Sequence, residues 1–151
     1  MCSVSSGLCA TMLGCLLLAS VSGAEETSSA EGSDINVGDV MGFQQERHLK
    51  LWFAGRAGNW PLADYEIGKL KDGFDDIDKL LGGETVGKAV GAPIAALEKA
   101  IENKDKDWFT RAFDQLTAGC NSCHRTLDHA FIVIQRPTIL PYGNQSFAPQ
   151  K

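Results

Sequence analysis

"DWFTRAFDQLTAGCNSCHRTLDHAFIVI" runs from Asp107 to Ile134. Its apolar members, Phe109, Phe113, Leu116, Cys120, Cys123, Leu127, Phe131 and Ile134, recur at steps of three and four, the signature of one helix face. The spacing predicts a long final helix that ends before Pro137. Just upstream, "NKDKD" reads as a turn that supplies the N-cap. Within the helix Cys120, Cys123 and His124 stand at i, i+3 and i+4, so two thiols and an imidazole share the apolar face.

The same period extends back along the chain. Val37, Met41, Gln44, His48, Leu51, Trp52 and Gly55 mark a first helix that closes near "GRAGN". Asn59 and Pro61 then signal a second start. Leu62, Ile67, Leu70, Phe74, Ile77 and Leu81 form its stripe, stopped by Gly82 and Gly83. Val86, Val90, Ile94, Leu97 and Ile101 keep the step in a third segment, weakened by Gly87, Gly91 and Pro93. That segment is either a kinked helix from Glu84 or a loop followed by a helix with Pro93 in its first turn. No stretch alternates with period two for long enough to need a sheet. The expected fold is therefore all-α: an antiparallel four-helix bundle over residues 37–136, with first and last helices as neighbours. The tail, residues 137–151, reads "PTILPYGNQSFAPQK". Its prolines forbid a helix, and Tyr142 and Phe147 predict an extended strap packed along the bundle.

Ahead of the bundle, residues 1–24 read as a secretory signal: an apolar run from Leu8 to Val21, then a small-residue cleavage site near Ser22-Gly23-Ala24. The n-region lacks Lys and Arg. "MLGC" before Cys15 is similar to a lipoprotein cleavage box, but most hydrophobic residues follow that cysteine, which argues against lipidation. Residues 25–36 are acidic and polar, a flexible lead-in. The apolar run is too short to span a bilayer, which takes about 20 residues. Of the five cysteines, Cys2, Cys9 and Cys15 leave with the signal. The expected mature protein is periplasmic, keeps Cys120 and Cys123 alone, and is a monomer or homodimer. A formal net charge of −5 weighs against nucleic acid and anionic membranes as partners.

Cys-x-x-Cys-His has three readings. A zinc site needs about four ligands, and His48 and His129 are not spaced as a second half-site. A redox dithiol would follow a strand and open a helix, whereas this pair sits well inside a helical pattern. The spacing is also the attachment signature of haem c. Two thiols become thioethers on the porphyrin vinyl groups, and the adjacent imidazole reaches the iron as proximal ligand. The expectation is one covalent haem c per chain, held by Cys120, Cys123 and His124.

An exported helical chain with one Cys-x-x-Cys-His near its C-terminus resembles the class II c-type cytochromes, the cytochrome c-prime and c-556-type proteins. The likeness covers Val37 to Ile134, and only the Cys120, Cys123 and His124 motif is specific. Leu127 and Asp128 stand where that family often has an aromatic and a basic residue. "RHLKLWFAGRAGNWPLA" is also similar to a stretch found in small exported haem proteins, with no function attached.

The sixth iron position separates the functions. Counting inward from Val37 and from Ile134 puts His48 level with His124, and His48 lies on an apolar stripe where a histidine needs a partner. His48 is read as an iron ligand or as a core histidine bonded to a carbonyl or haem propionate, with Met41 as the alternative ligand. Leu51 and Trp52 are expected to wall the distal side, and His129 to lie on the surface. Arg47, adjacent to His48, falls off the haem face, which leaves no peroxidase pair and no other enzyme signal. The resemblance adds a third option, a distal face closed by apolar groups such as Leu51 or Trp52, with five-coordinate iron. A six-coordinate haem implies electron transfer with a redox partner protein. A five-coordinate one implies binding of NO or CO for sensing, storage or detoxification.

Overall fold

The computed structural model describes residues 36–151. The expected signal segment, its three cysteines and nearly all of the lead-in lie outside the described residues. Four helices follow one another: α1 (Val37–Ala57), α2 (Trp60–Leu81), α3 (Thr85–Glu102) and α4 (Lys106–Thr126). No strand occurs among the described residues, and the helices pack on one another as a bundle. None of them is long and apolar enough to cross a membrane.

The boundaries follow local chemistry. Asn36 and Asp39 form a capping box at the start of α1. Gly58 and Gly82, both at positive φ, end α1 and α2 as left-handed caps. Asn59 caps α2 through Leu62 N, and Asp105 caps α4 through Asp107 N and Trp108 N. The third segment is one helix from Thr85, with Pro93 inside it. It has no side-chain cap of its own. Instead the Asp78 carboxylate, on α2, accepts from Val86 N and Gly87 N at 2.8 Å each. A residue from another helix thus satisfies two amides that no pattern within α3 accounts for.

Aromatic rings fill the core where late α1 meets early α4. Phe109 lies so close to Gly55 that a β-carbon there would sit 2.2 Å from its ring. Trp52 stacks on Phe109 and tilts against Phe113, at 6.4 and 4.9 Å between centroids. Gly119 similarly lets α4 close on α3, where an added β-carbon would stand 2.6 Å from Ala89 O.

The final helix is shorter than its periodicity predicts. It stops at Thr126, and Asp128 turns the chain at φ 61, a conformation that Asp tolerates better than most residues. Beyond that turn the chain carries neither helix nor strand, and it is pinned at several points. Arg136 grips the Asp114 carboxylate with two nitrogens and covers the Trp52 ring at 4.8 Å. Phe147 is buried, edge-on to Phe53 at 6.1 Å, and Asn59 donates to Ala148 O at 3.1 Å.

Candidate functional site

A largely apolar cavity of about 550 Å³ opens among all four helices. It takes Val37, Met41, Gln44 and His48 from α1, Leu70 and Phe74 from α2, Val86 and Val90 from α3, and Cys120, Cys123 and His124 from α4. Leu127, His129, Ile132 and Ile134, from the chain beyond α4, complete the lining. The volume falls within the range of about 300–1,000 Å³ usual for cofactor and ligand sites.

His124 is held by a backbone carbonyl. Its Nδ1 lies 2.9 Å from Ile132 O. A carbonyl oxygen only accepts, so Nδ1 carries the proton and, in the neutral ring, Nε2 is the bare nitrogen. The early stop of α4 makes this bond. Leu127 N donates to Cys123 O, His129 N to His124 O at 2.7 Å, and Ile132 N to His129 O at 2.9 Å, so the chain doubles back beside the helix. Asn121 then holds Ile134 by both backbone polar atoms: Nδ2 donates to Ile134 O at 2.9 Å, and Oδ1 accepts from Ile134 N at 2.8 Å.

Neither thiol has a disulfide partner among the described residues. Burial pushes Cys120 up to about 12. It also raises Cys123, with a smaller contribution from the charge of Asp78. Neutral thiols at the C-terminal end of a helix are poor redox nucleophiles, because the helix dipole and burial both oppose a thiolate. Among the described residues no group of three or more His, Cys, Asp or Glu side chains could hold a metal ion. The ligand set that zinc takes is not assembled here.

On the facing wall, His48 is buried and its ring tilts against Phe113 at 4.4 Å. Its Nε2 is 2.8 Å from Thr117 Oγ1. Thr117 spends its own hydroxyl proton on Phe113 O at 3.0 Å, so His48 Nε2–H donates and Nδ1 is the free nitrogen. Burial lowers the His48 pKa to about 4, which keeps the ring neutral. Gln44 is 6% exposed, and its Oε1 has no hydrogen-bond partner among the described residues. The Gln44 amide occupies the slot left by Gly73, where a β-carbon would lie 1.7 Å from Nε2.

Several expectations need correction. His48 is not level with His124: its partner Thr117 precedes His124 by two turns, about 10 Å along the axis. The count from Ile134 failed because α4 ends at Thr126. Leu51 and Trp52 do not line the cavity; Leu51 is fully buried and Trp52 packs on Phe109 and Phe113. His129 is exposed, yet it lines the cavity from the turn beyond α4, where its Nδ1–H donates to Leu127 O at 2.5 Å. Arg47 does lie away from the cavity, paired with the buried Glu66 carboxylate at 3.1 Å. Met41 is half-buried and lines the cavity. Sequence reasoning missed Asn121, Thr117 and the Ile132 carbonyl. The first stood only as a spacer between the cysteines, and the last is a backbone atom that carries no sequence signal. No protein-family model, no curated protein and no solved structure matches this chain.

Proposed function

We propose that the protein is an exported monohaem c-type cytochrome and that its function is electron transfer. Cys120 and Cys123 are the thioether residues, and His124 Nε2 is the proximal ligand. The observation that carries this reading is the His124 Nδ1–H bond to Ile132 O, which leaves Nε2 bare beside both thiols on one cavity. A carbonyl on the remote nitrogen is the partner that orients and strengthens a metal-binding imidazole. The missing cluster of metal-binding side chains among the described residues is no obstacle, since a porphyrin would supply nitrogens of its own. Haem, when bound, supplies the iron couple that takes up and releases an electron. The apolar cavity would limit that couple's contact with water, and the Ile132 carbonyl holds the imidazole in one tautomer. Export to the periplasm rests on the N-terminal sequence, and a redox partner protein is required by the function.

The bundle is read as antiparallel. Gly55 against Phe109 and His48 against Thr117 pair late α1 with early α4, and earlier α1 with later α4. Continuing that register brings Met41 level with His124. Met41, not His48, is therefore the proposed sixth ligand, with His48 a neutral group bonded to Thr117. Histidine and methionine together raise the potential, and nothing needs to leave the iron on reduction. Haem staining after denaturing electrophoresis should show retained haem, abolished in Cys120→Ser/Cys123→Ser. Unchanged retention in that variant would defeat the proposal. Met41→Ala should turn the ferric spectrum from low to high spin and admit CO, while His48→Ala should leave the spin state unchanged.

The second reading is a five-coordinate haem that binds NO or CO. The position of His48 against Thr117, two turns short of His124, favours it, because it takes one of two candidate sixth ligands out of register. Rapid and complete CO binding by the reduced wild-type protein would select it.

A further inference from the structure

The two hydrogen bonds that Asn121 makes lie outside everything the haem motif requires. Asn121 is a spacer between the cysteines, and its amide meets both backbone polar atoms of Ile134 in the manner of a neighbouring strand. Two residues earlier, the Ile132 carbonyl accepts from His124 Nδ1. The segment between the Asp128 turn and Ile134 has few other anchors. Phe131 is 80% exposed, and Ile132 and Val133 are exposed too. Little apolar burial holds this backbone, while Arg136 is the next residue of the tail to grip the bundle.

We propose that Asn121 is a positioning residue for His124. By holding Ile134 it keeps the Ile132 carbonyl against Nδ1, which fixes the proton there and leaves Nε2 as the lone-pair nitrogen. The consequence for an iron ligand rests on the haem reading above; the tautomer itself does not. Free histidine side chains favour the proton on Nε2, so the preference here must come from the carbonyl and from whatever holds it. Asn121 is one turn before His124 on α4 and three residues away in sequence, so one helix carries both the ring and the group that positions its partner.

The test uses full-length protein with ¹⁵N-labelled histidine in mildly alkaline solution, where an imidazole is neutral. Long-range proton–nitrogen correlation spectra report the tautomer of each ring, whether or not haem is attached. Wild-type His124 is expected to hold its proton on Nδ1. Asn121→Ala should shift the ratio toward Nε2–H by about fivefold, the factor equivalent to about 1 kcal/mol for one net hydrogen bond. Asn121→Asp keeps an acceptor for Ile134 N but sets a carboxylate oxygen against Ile134 O in place of the donor, so its ratio should also move toward Nε2–H. Ser122→Ala, at the exposed neighbouring spacer, should match wild type. If Asn121→Ala loses its helical circular dichroism, Asn121→Asp decides. A wild-type proton on Nε2, or an unchanged ratio in the folded Asn121 variants, would overturn the proposal. In haem-loaded protein, Asn121→Ala should raise the midpoint potential, because a ring without its carbonyl partner is a weaker donor to ferric iron. Absence of covalent haem in every variant would sink the haem reading and leave the tautomer result standing.

Discussion

The two ends of this bundle use the same helices in opposite ways. At one end Gly55 removes a side chain so that the Phe109 ring can fill the space, and Trp52 and Phe113 pack around it. At the other end the lining residues Val37, Met41, Val86, Val90 and Cys123 stand back around about 550 Å³ of space. Between the two lies His48, its ring on Phe113 and its Nε2–H on Thr117. A close-packed interior of this size would not ordinarily keep such a void. The filled end supplies stability, and the hollow end is free to be shaped for a bound group.

Emptying the filled end should have the largest effect. Phe109→Ala is expected to destabilise the protein by about 3–5 kcal/mol in denaturant titration, since Phe109 is fully buried and Gly55 cannot collapse onto the gap. Equal stability would mean that the ring is not the keystone of that end. The boundary comes next. The folded His48 pKa is lowered to about 4 by burial, below the ordinary 6.5 of an imidazole, so the unfolded chain binds the extra proton. Its full contribution is present above pH 6.5 and is lost as pH falls toward 4, by up to roughly 3 kcal/mol. His48→Phe should flatten that part of a stability-against-pH curve; an identical curve would show that other groups cause it.

At the hollow end, Gly119→Ala pushes a methyl group against Ala89 O and should cost about 1–3 kcal/mol by thermal or chemical unfolding. Because Gly119 precedes Cys120, the same variant should also disturb whatever the cavity holds. A stable variant with an undisturbed cavity would show that α3 and α4 can separate freely there. The smallest effect is expected from Arg136→Ala. Its ion pair with Asp114 is half exposed, so the loss should stay within about 1 kcal/mol. His124 should keep its tautomer in that variant, because Asn121 and not Arg136 holds Ile134.

Much of the fold was legible in the sequence because helix periodicity and caps are local. Asn36, Asn59, Gly82 and Asp105 mark boundaries within a residue or two of where they fall. Periodicity failed after Thr126 for an instructive reason. Of the stripe residues beyond Thr126, Phe131 is 80% exposed, while Leu127 and Ile134 face the cavity, Ile134 from a chain folded back beside α4 and not from the next turns of the helix. An apolar residue satisfies the same spacing whether it arrives by helix or by return strap. The cap of α3 was illegible as well, because Asp78 belongs to a different helix.

What the sequence determined by itself is the helical class, the helix starts and the presence of two thiols and an imidazole on one face. Each depends on residues within a few positions of one another. Only the tertiary structure decided the rest. It set His48 against Thr117, two turns from His124, buried Leu51 and Trp52 away from the cavity, brought Met41 to the lining, and delivered the Ile132 carbonyl to His124. These are relations of register and backbone path between separate segments. They depend on where α4 stops and how side chains from different helices fill a shared volume, and no local pattern encodes that sum.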